Sequence, residues 1–208
     1  MSDWWESELL CRATVAENTV ACVLRRPAGF QFAAGQYVEL KLCSPAFTDA
    51  LGPTRAMSIA SAPSDDDLVM LMRIRDSAFK RSIMNLAPGA RLSFDGPADD
   101  LTFDVCSGAP VVLIAGGVGI APDELSRLSA AIGLEFVPTM TRMGDATVPW
   151  QGETERLSAA MIHRHIDQSR RPRYYVSGST LFVSGLCYDL ERAGVPARDI
   201  RIEMYPGY

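Results

Sequence analysis

The run Val111-Val-Leu-Ile-Ala-Gly-Gly-Val-Gly-Ile-Ala-Pro122 places three glycines directly after an apolar, β-branched stretch. A buried parallel strand delivers its end to a ligand in this way. Gly116, Gly117 and Gly119 allow positive φ and put no Cβ between backbone and ligand. Amides at such a turn, with a helix start at Pro122, can hold an anion or a pyrophosphate. The spacing is not G-x-G-x-x-G, so the run reads either as a nucleotide-binding turn or as a tight strand–helix connection.

The second cluster is Arg55-Ala56-Met57-Ser58. Arginine offers a forked, permanently charged donor suited to phosphate. In an extended strand Arg55 and Met57 share a face, and Ser58 points the other way. The plainer reading is an exposed arginine with Met57 in a core. Other clusters carry less. His163 and His165 have no carboxylate or cysteine at ligand spacing and read as a surface pair, so no metal site is expected. Asp65-Asp-Asp67 reads as a hairpin turn, since a calcium loop needs more ligands at defined spacing. Asp99-Asp100 falls at a linker. No serine nucleophile elbow is present.

The elements that must position these groups fall into two halves. Up to about residue 100 the chain is β-rich. Alternation marks Cys11–Val15, Thr19–Leu24, Tyr37–Leu42, Leu68–Ile74 and Arg91–Phe94, with Gly- and Pro-containing turns between. Such strands suggest a small barrel, interrupted by one helix over Ser77–Leu86. The second half alternates: strands at Val111–Ala115, Leu134–Met140, Tyr174–Ser177 and Ile200–Met204, and helices at Pro122–Ile132, Leu157–Asp167 and Leu181–Ala193. This is the grammar of a mainly parallel α/β domain. The boundary is expected in the Pro-, Gly- and Asp-rich stretch Pro97–Ser107, giving domains 1–100 and 101–208.

Bulk properties narrow the class. The 208 residues suffice for one large or two small domains. A net charge of −5 disfavours a nucleic-acid partner. No apolar run is long enough to span a bilayer. The acidic start Met1-Ser-Asp-Trp-Trp-Glu lacks the features of a signal peptide. Five scattered cysteines form no C-x-x-C pair, which argues against zinc or iron–sulfur ligation and for a reducing cytoplasm.

In several motifs, in order, the chain resembles the ferredoxin–NADP reductase family. They are Phe32-Ala-Ala-Gly-Gln-Tyr37, Arg55-Ala-Met-Ser58, Phe79-Lys-Arg-Ser82 with Pro88-Gly89, Asp95-Gly-Pro97, Ala115–Pro122, Tyr174–Gly178 and Glu203-Met-Tyr-Pro-Gly-Tyr208. The resemblance implies a FAD-binding antiparallel barrel (FMN is the less favoured flavin) and a Rossmann-like domain for NADPH or NADH. It implies that Arg55 pairs with a flavin phosphate, and that Ala56, Met57 and Ser58 line the ring, with Ser58 near N5. Lys80, Arg81 and Ser82 would hold the pyrophosphate. Gly116, Gly117, Val118, Gly119 and Pro122 would receive the dinucleotide, with Thr141 and Arg142 as contributors. Ser58, Ser177, Glu203 and Tyr208 would stand at the reacting centre.

The chain departs from the family pattern in three places. Met57 replaces a tyrosine, and a polarizable methionine can still cover a ring face. Ser177 and Ser179 replace a cysteine and a proline, which predicts slower hydride transfer. After Pro122, one helix and the next strand are missing, on the order of 20–30 residues by the size of a βαβ unit. The expected activity is hydride transfer from NAD(P)H to FAD, with electrons passing on to a ferredoxin or other redox partner. The alternative is a non-catalytic flavin- or nucleotide-binding subunit of a larger redox complex.

Overall fold

The structure, a computed structural model, describes residues 4–16, 18–99, 108–116, 135–141 and 152–205. The chain divides into two compact units, Met1–Cys106 and Ser107–Tyr208.

The first unit is a six-stranded antiparallel sheet. Its strands are β1 (Trp5–Ala16), β2 (Thr19–Arg25), β3 (Gln36–Leu42), β4 (Thr54–Ser58), β5 (Asp67–Arg73) and β6 (Arg91–Asp99), in spatial order β4-β3-β6-β1-β2-β5. Just beyond β4, the Ala60 N–H donates to Val69 O in β5 (2.7 Å), which draws the two edge strands together in barrel fashion. The alternating residues converge on one core. Leu9, Leu24, Val38, Leu40, Leu68, Met70, Leu92 and Phe94 are fully buried there. Trp5 packs edge-on against Phe30 (5.4 Å), while Trp4 lies under the Lys41 ammonium (5.2 Å).

Helix α1 (Ala78–Asn85) stands between β5 and β6, as the sequence predicts. Ser77 caps it by accepting from the Lys80 N–H (3.3 Å). Arg12 of β1 donates to the Ile83 carbonyl in its last turn and so ties the helix end to the sheet. One expectation is corrected. The resemblance makes Asp95-Gly-Pro97 a turn that closes the barrel, and it is not one. Strand β6 runs through it to Asp99, and the extra residues are absorbed as an irregularity opposite Tyr37–Glu39.

The second unit holds a parallel sheet of β7 (Val111–Ala115), β8 (Arg173–Ser179) and β9 (Ile200–Tyr205), in that order. Helices α2 (Ala159–His165) and α3 (Thr180–Arg192) cover one face. Ile114, Tyr174 and Val176 meet Ile162, Val183, Leu186 and Leu190 there.

Two further expectations are corrected. Strand β7 is not buried on both sides: only Ile114 is buried, and Leu113 is 52% exposed. Alternation turns Ile114 to the face packed by α2 and α3 and Leu113 to the opposite face, which is exposed among the described residues. Residues 135–140 form no strand. They make a single bridge, Thr139 to Glu153, because Pro138 has no N–H to donate and the segment lies outside the sheet. Its polar groups are satisfied locally: Met140 N–H donates to Glu153 O (2.9 Å) and Glu153 N–H to Pro138 O (3.1 Å). The expected helix Pro122–Ile132 lies outside the described residues.

Candidate cofactor sites in the two units

In the first unit the site begins with the β3–β4 register. Leu40 is opposite Arg55 and Val38 opposite Met57. Opposed residues share a face, so Arg55 and Met57 both sit on the side of the buried Val38 and Leu40. Met57 packs on the core, as the plainer reading expects. Arg55 does not follow that reading, for its side chain is only 25% exposed. Its guanidinium lies over the buried Phe79 ring of α1 (5.3 Å). Its Nη1 donates to the carbonyls of Leu51 (3.1 Å), Gly52 (2.9 Å) and Thr54 (2.6 Å). Its Nη2 is sealed from solvent with no hydrogen-bond partner; the Asp49 carboxylate stands 3.5 Å away. Ala56 is exposed and Ser58 half-buried on the opposite face.

Lys80 belongs to the same cationic group. Its pKa is pushed below the ordinary lysine value, first by burial and then by the charges of Arg75, Arg55 and Arg73. Mutual repulsion among these cations is a cost that a bound anion would relieve. This crowding and the unsatisfied Arg55 Nη2 make the site a fit for a diphosphate. The other two residues expected with Lys80 are occupied elsewhere. The Ser82 hydroxyl accepts from the Phe47 N–H (2.8 Å) and donates to Phe47 O (3.0 Å). Arg81 pairs with Asp76 (3.4 Å) and covers the Phe47 ring (4.7 Å). Both serve to hold the loop between β3 and β4 against α1.

In the second unit the parallel strands bring Ser177 and Glu203 side by side in register, at the carboxyl ends where ligands enter α/β sheets. The Ser177 hydroxyl meets Glu203 Oε2 at 3.4 Å, and Glu203 is 8% exposed. Ser179 caps α3, accepting from the Phe182 N–H (3.4 Å), which gives that serine a structural duty.

Gly116 is corrected in its role. It does not adopt positive φ. A Cβ there would lie 2.6 Å from the Phe182 ring, and one on Gly178 would lie 2.8 Å from both that ring and Gly116 O. The two glycines make room for Phe182 to pack on the sheet. Thr141 is exposed at a bend. Gly117, Val118, Gly119, Pro122, Arg142 and Tyr208 lie outside the described residues.

Sequence reasoning missed three features. Asp49 was hidden because its partner Arg55 is reached through a loop fold; the one signal was Asp49-x-x-Gly52, a turn pattern. Phe182 read as an ordinary helical apolar residue. His165 acquires carboxylates from distant segments, Glu153 at 3.1 Å and Glu135 at 3.4 Å, which no local spacing reveals. No group of three or more His, Cys, Asp or Glu among the described residues could hold a metal ion.

An antiparallel barrel-like unit followed by a parallel α/β unit is the architecture of two-domain flavoprotein reductases. A ferredoxin NADP+ reductase from Neisseria gonorrhoeae, solved with bound FAD and NADP, superposes with a TM-score of 0.74. The match covers 97% of this chain and 98% of that one at 21% identity, and it shows the shared fold. No family model matches the chain. Ferredoxin–NADP reductase B of Sorangium cellulosum (strain So ce56) is 38% identical over 219 residues, covering 85% of this chain and 86% of that protein. The chain belongs to the ferredoxin–NADP reductase family. Methane monooxygenase component C of Methylosinus trichosporium is 29% identical over 126 residues, which are 57% of this chain. This chain spans only 35% of that protein's length. The stretch aligned with reductase B exceeds the 208 residues of this chain, so that relative carries residues within the match that this chain lacks.

Proposed function

We propose that the protein is an NAD(P)H-dependent flavoprotein reductase that passes electrons to a ferredoxin or another redox-protein acceptor. In this reading residues 1–100 hold FAD and residues 101–208 receive NADPH or NADH. The single observation that carries it is the buried, unsatisfied Arg55 Nη2 beside the crowded Lys80, in a chain of this family. FAD, when bound, supplies the hydride acceptor and the electron carrier. The chain's contribution is placement. Arg55 and Lys80 supply charge to the flavin phosphates. Met57 and Ser58 follow Arg55 along β4 toward the ring. Ser177 and Glu203 are the polar groups offered to the nicotinamide, and a serine hydroxyl there orients it without a thiol's contact.

The acceptor class is supported by the names of the relatives, a ferredoxin reductase and a monooxygenase component. A cytoplasmic location is supported by the free state of Cys11, Cys22, Cys43 and Cys187. No helix among the described residues is long and apolar enough to cross a membrane. A second reading, a flavin-binding subunit that is not reduced by nicotinamides, draws on the residues missing relative to reductase B. The test of the flavin site is FAD titration of the purified protein and of Arg55→Ala. The reading expects binding by the parent chain and a roughly 10- to 100-fold loss in the variant, the worth of a charge-assisted hydrogen bond. Unchanged FAD affinity in the variant would remove Arg55 from the site.

A further inference from the structure

Residues 43–53, between β3 and β4, fold back over both Arg55 and α1. The Ser82 hydroxyl grips the Phe47 backbone (2.8 and 3.0 Å) and Arg81 covers the Phe47 ring (4.7 Å). Beyond Phe47 the chain makes a turn about Asp49. Gly52 N–H donates to Asp49 O (3.1 Å) and Leu51 N–H donates to Asp49 Oδ1 (3.0 Å). That turn aims the carboxylate at Arg55 Nη2, at 3.5 Å. The distance is too long for a good hydrogen bond and short enough for an ion pair. The carbonyls of Leu51, Gly52 and Thr54 take Nη1. Arg55 is therefore held by one short loop, with Nη2 sealed and its N–H groups unspent. A donor sealed from water with no hydrogen-bond partner costs free energy that the fold alone does not require.

We infer that Asp49 is a latch: a carboxylate that occupies the anion position of Arg55 in the flavin-free protein and is displaced by the flavin diphosphate. The inference rests on the assignment of Arg55 to a flavin phosphate. A phosphate and the Asp49 carboxylate repel each other at the same guanidinium, so binding one releases the other. The Phe47–Ser82 clasp anchors the first half of the loop. The part that opens is residues 48–52, where Leu51 is 76% exposed, while the Pro53 carbonyl stays tied by the Leu42 N–H (3.0 Å).

The test is flavin titration, followed by fluorescence, on the full chain, Asp49→Asn, Arg55→Ala and the double variant, with FAD and riboflavin as probes. Asparagine keeps the Oδ1 acceptor for Leu51 N–H and removes the charge, so the turn persists. The latch predicts that Asp49→Asn binds FAD about three- to fivefold tighter, the range of a partly exposed ion pair. It predicts no change for riboflavin, which has no phosphate, and no gain from Asp49→Asn when Arg55 is already alanine. It also predicts faster hydrogen exchange at the Leu51 and Gly52 amides once FAD is bound. Equal or weaker FAD binding by Asp49→Asn, while Arg55→Ala still loses affinity, overturns the latch and leaves the phosphate site standing. Slower exchange at those amides on FAD binding overturns it likewise. Unchanged FAD affinity in Arg55→Ala overturns the phosphate assignment and the latch together.

Discussion

At the residue scale, charge and burial decide the behaviour of the proposed flavin site. Lys80 is the group whose pH response can be derived. Its pKa is depressed in the free protein, by burial first and by Arg75, Arg55 and Arg73 after it. A bound diphosphate would raise it again. FAD affinity is then greatest below the free-state pKa and falls as pH rises from that value toward the bound-state one, because binding must take up a proton. Titrations across alkaline pH should show this fall beginning below the ordinary lysine range. Lys80→Met should flatten it, and an equal slope in that variant would contradict the account. The cysteines give a simpler check. Burial pushes the Cys22 thiol up to about 11, whereas Cys11 and Cys43 are exposed. An alkylating reagent at neutral pH should label those two and leave Cys22 unmodified until the chain unfolds. Arg55 stood out in the sequence as a forked cation, but its burial did not, since the plainer reading left it exposed. Asp49 did not stand out, because an ion pair made through a folded loop leaves no mark on local spacing. The partner of the Ser82 hydroxyl was hidden for the same reason, since Phe47 is 35 residues away.

At the element scale, packing against Phe182 requires glycine at 116 and 178. Gly116→Ala puts a methyl 2.6 Å from the Phe182 ring. Overpacking of this kind costs about 1–3 kcal/mol. Thermal or denaturant unfolding should show that loss, and Phe182→Ala in the same chain should recover part of it. Gly178→Ala should be less recoverable, since its methyl also meets the backbone carbonyl of Gly116 at 2.8 Å. Equal rescue of both would contradict the assignment. Most elements were readable from alternation and caps: β2, β3, β5, β7 and α1 fall close to their expected limits. The exceptions share a cause. Residues 134–140 carry strand-forming residues, yet a strand exists only beside a partner. Val111–Ala115 reads as buried on both faces, yet α2 and α3 pack on only one of them. Neighbours in space are not written in a local window.

At the scale of the whole molecule, the order of the motifs carried the family, while no single motif did. The chain divides into two units, Met1–Cys106 and Ser107–Tyr208. Ligand linkage should separate them. Saturating FAD should raise the unfolding transition of the first unit, by about 2.7 kcal/mol at a hundredfold excess over Kd. A transition that reports only the second unit should stay in place. Competence is the open question at this scale, because the family relative carries residues that this chain lacks. The central claim, that this chain moves hydride from a nicotinamide to its flavin, is tested most directly by anaerobic mixing of the FAD-loaded protein with NADPH and, separately, NADH. The account predicts bleaching of the long-wavelength flavin band with at least one nucleotide, at a rate that rises to saturation with its concentration. Flavin that stays bound and oxidised with both would contradict it and leave the protein a flavin-binding subunit.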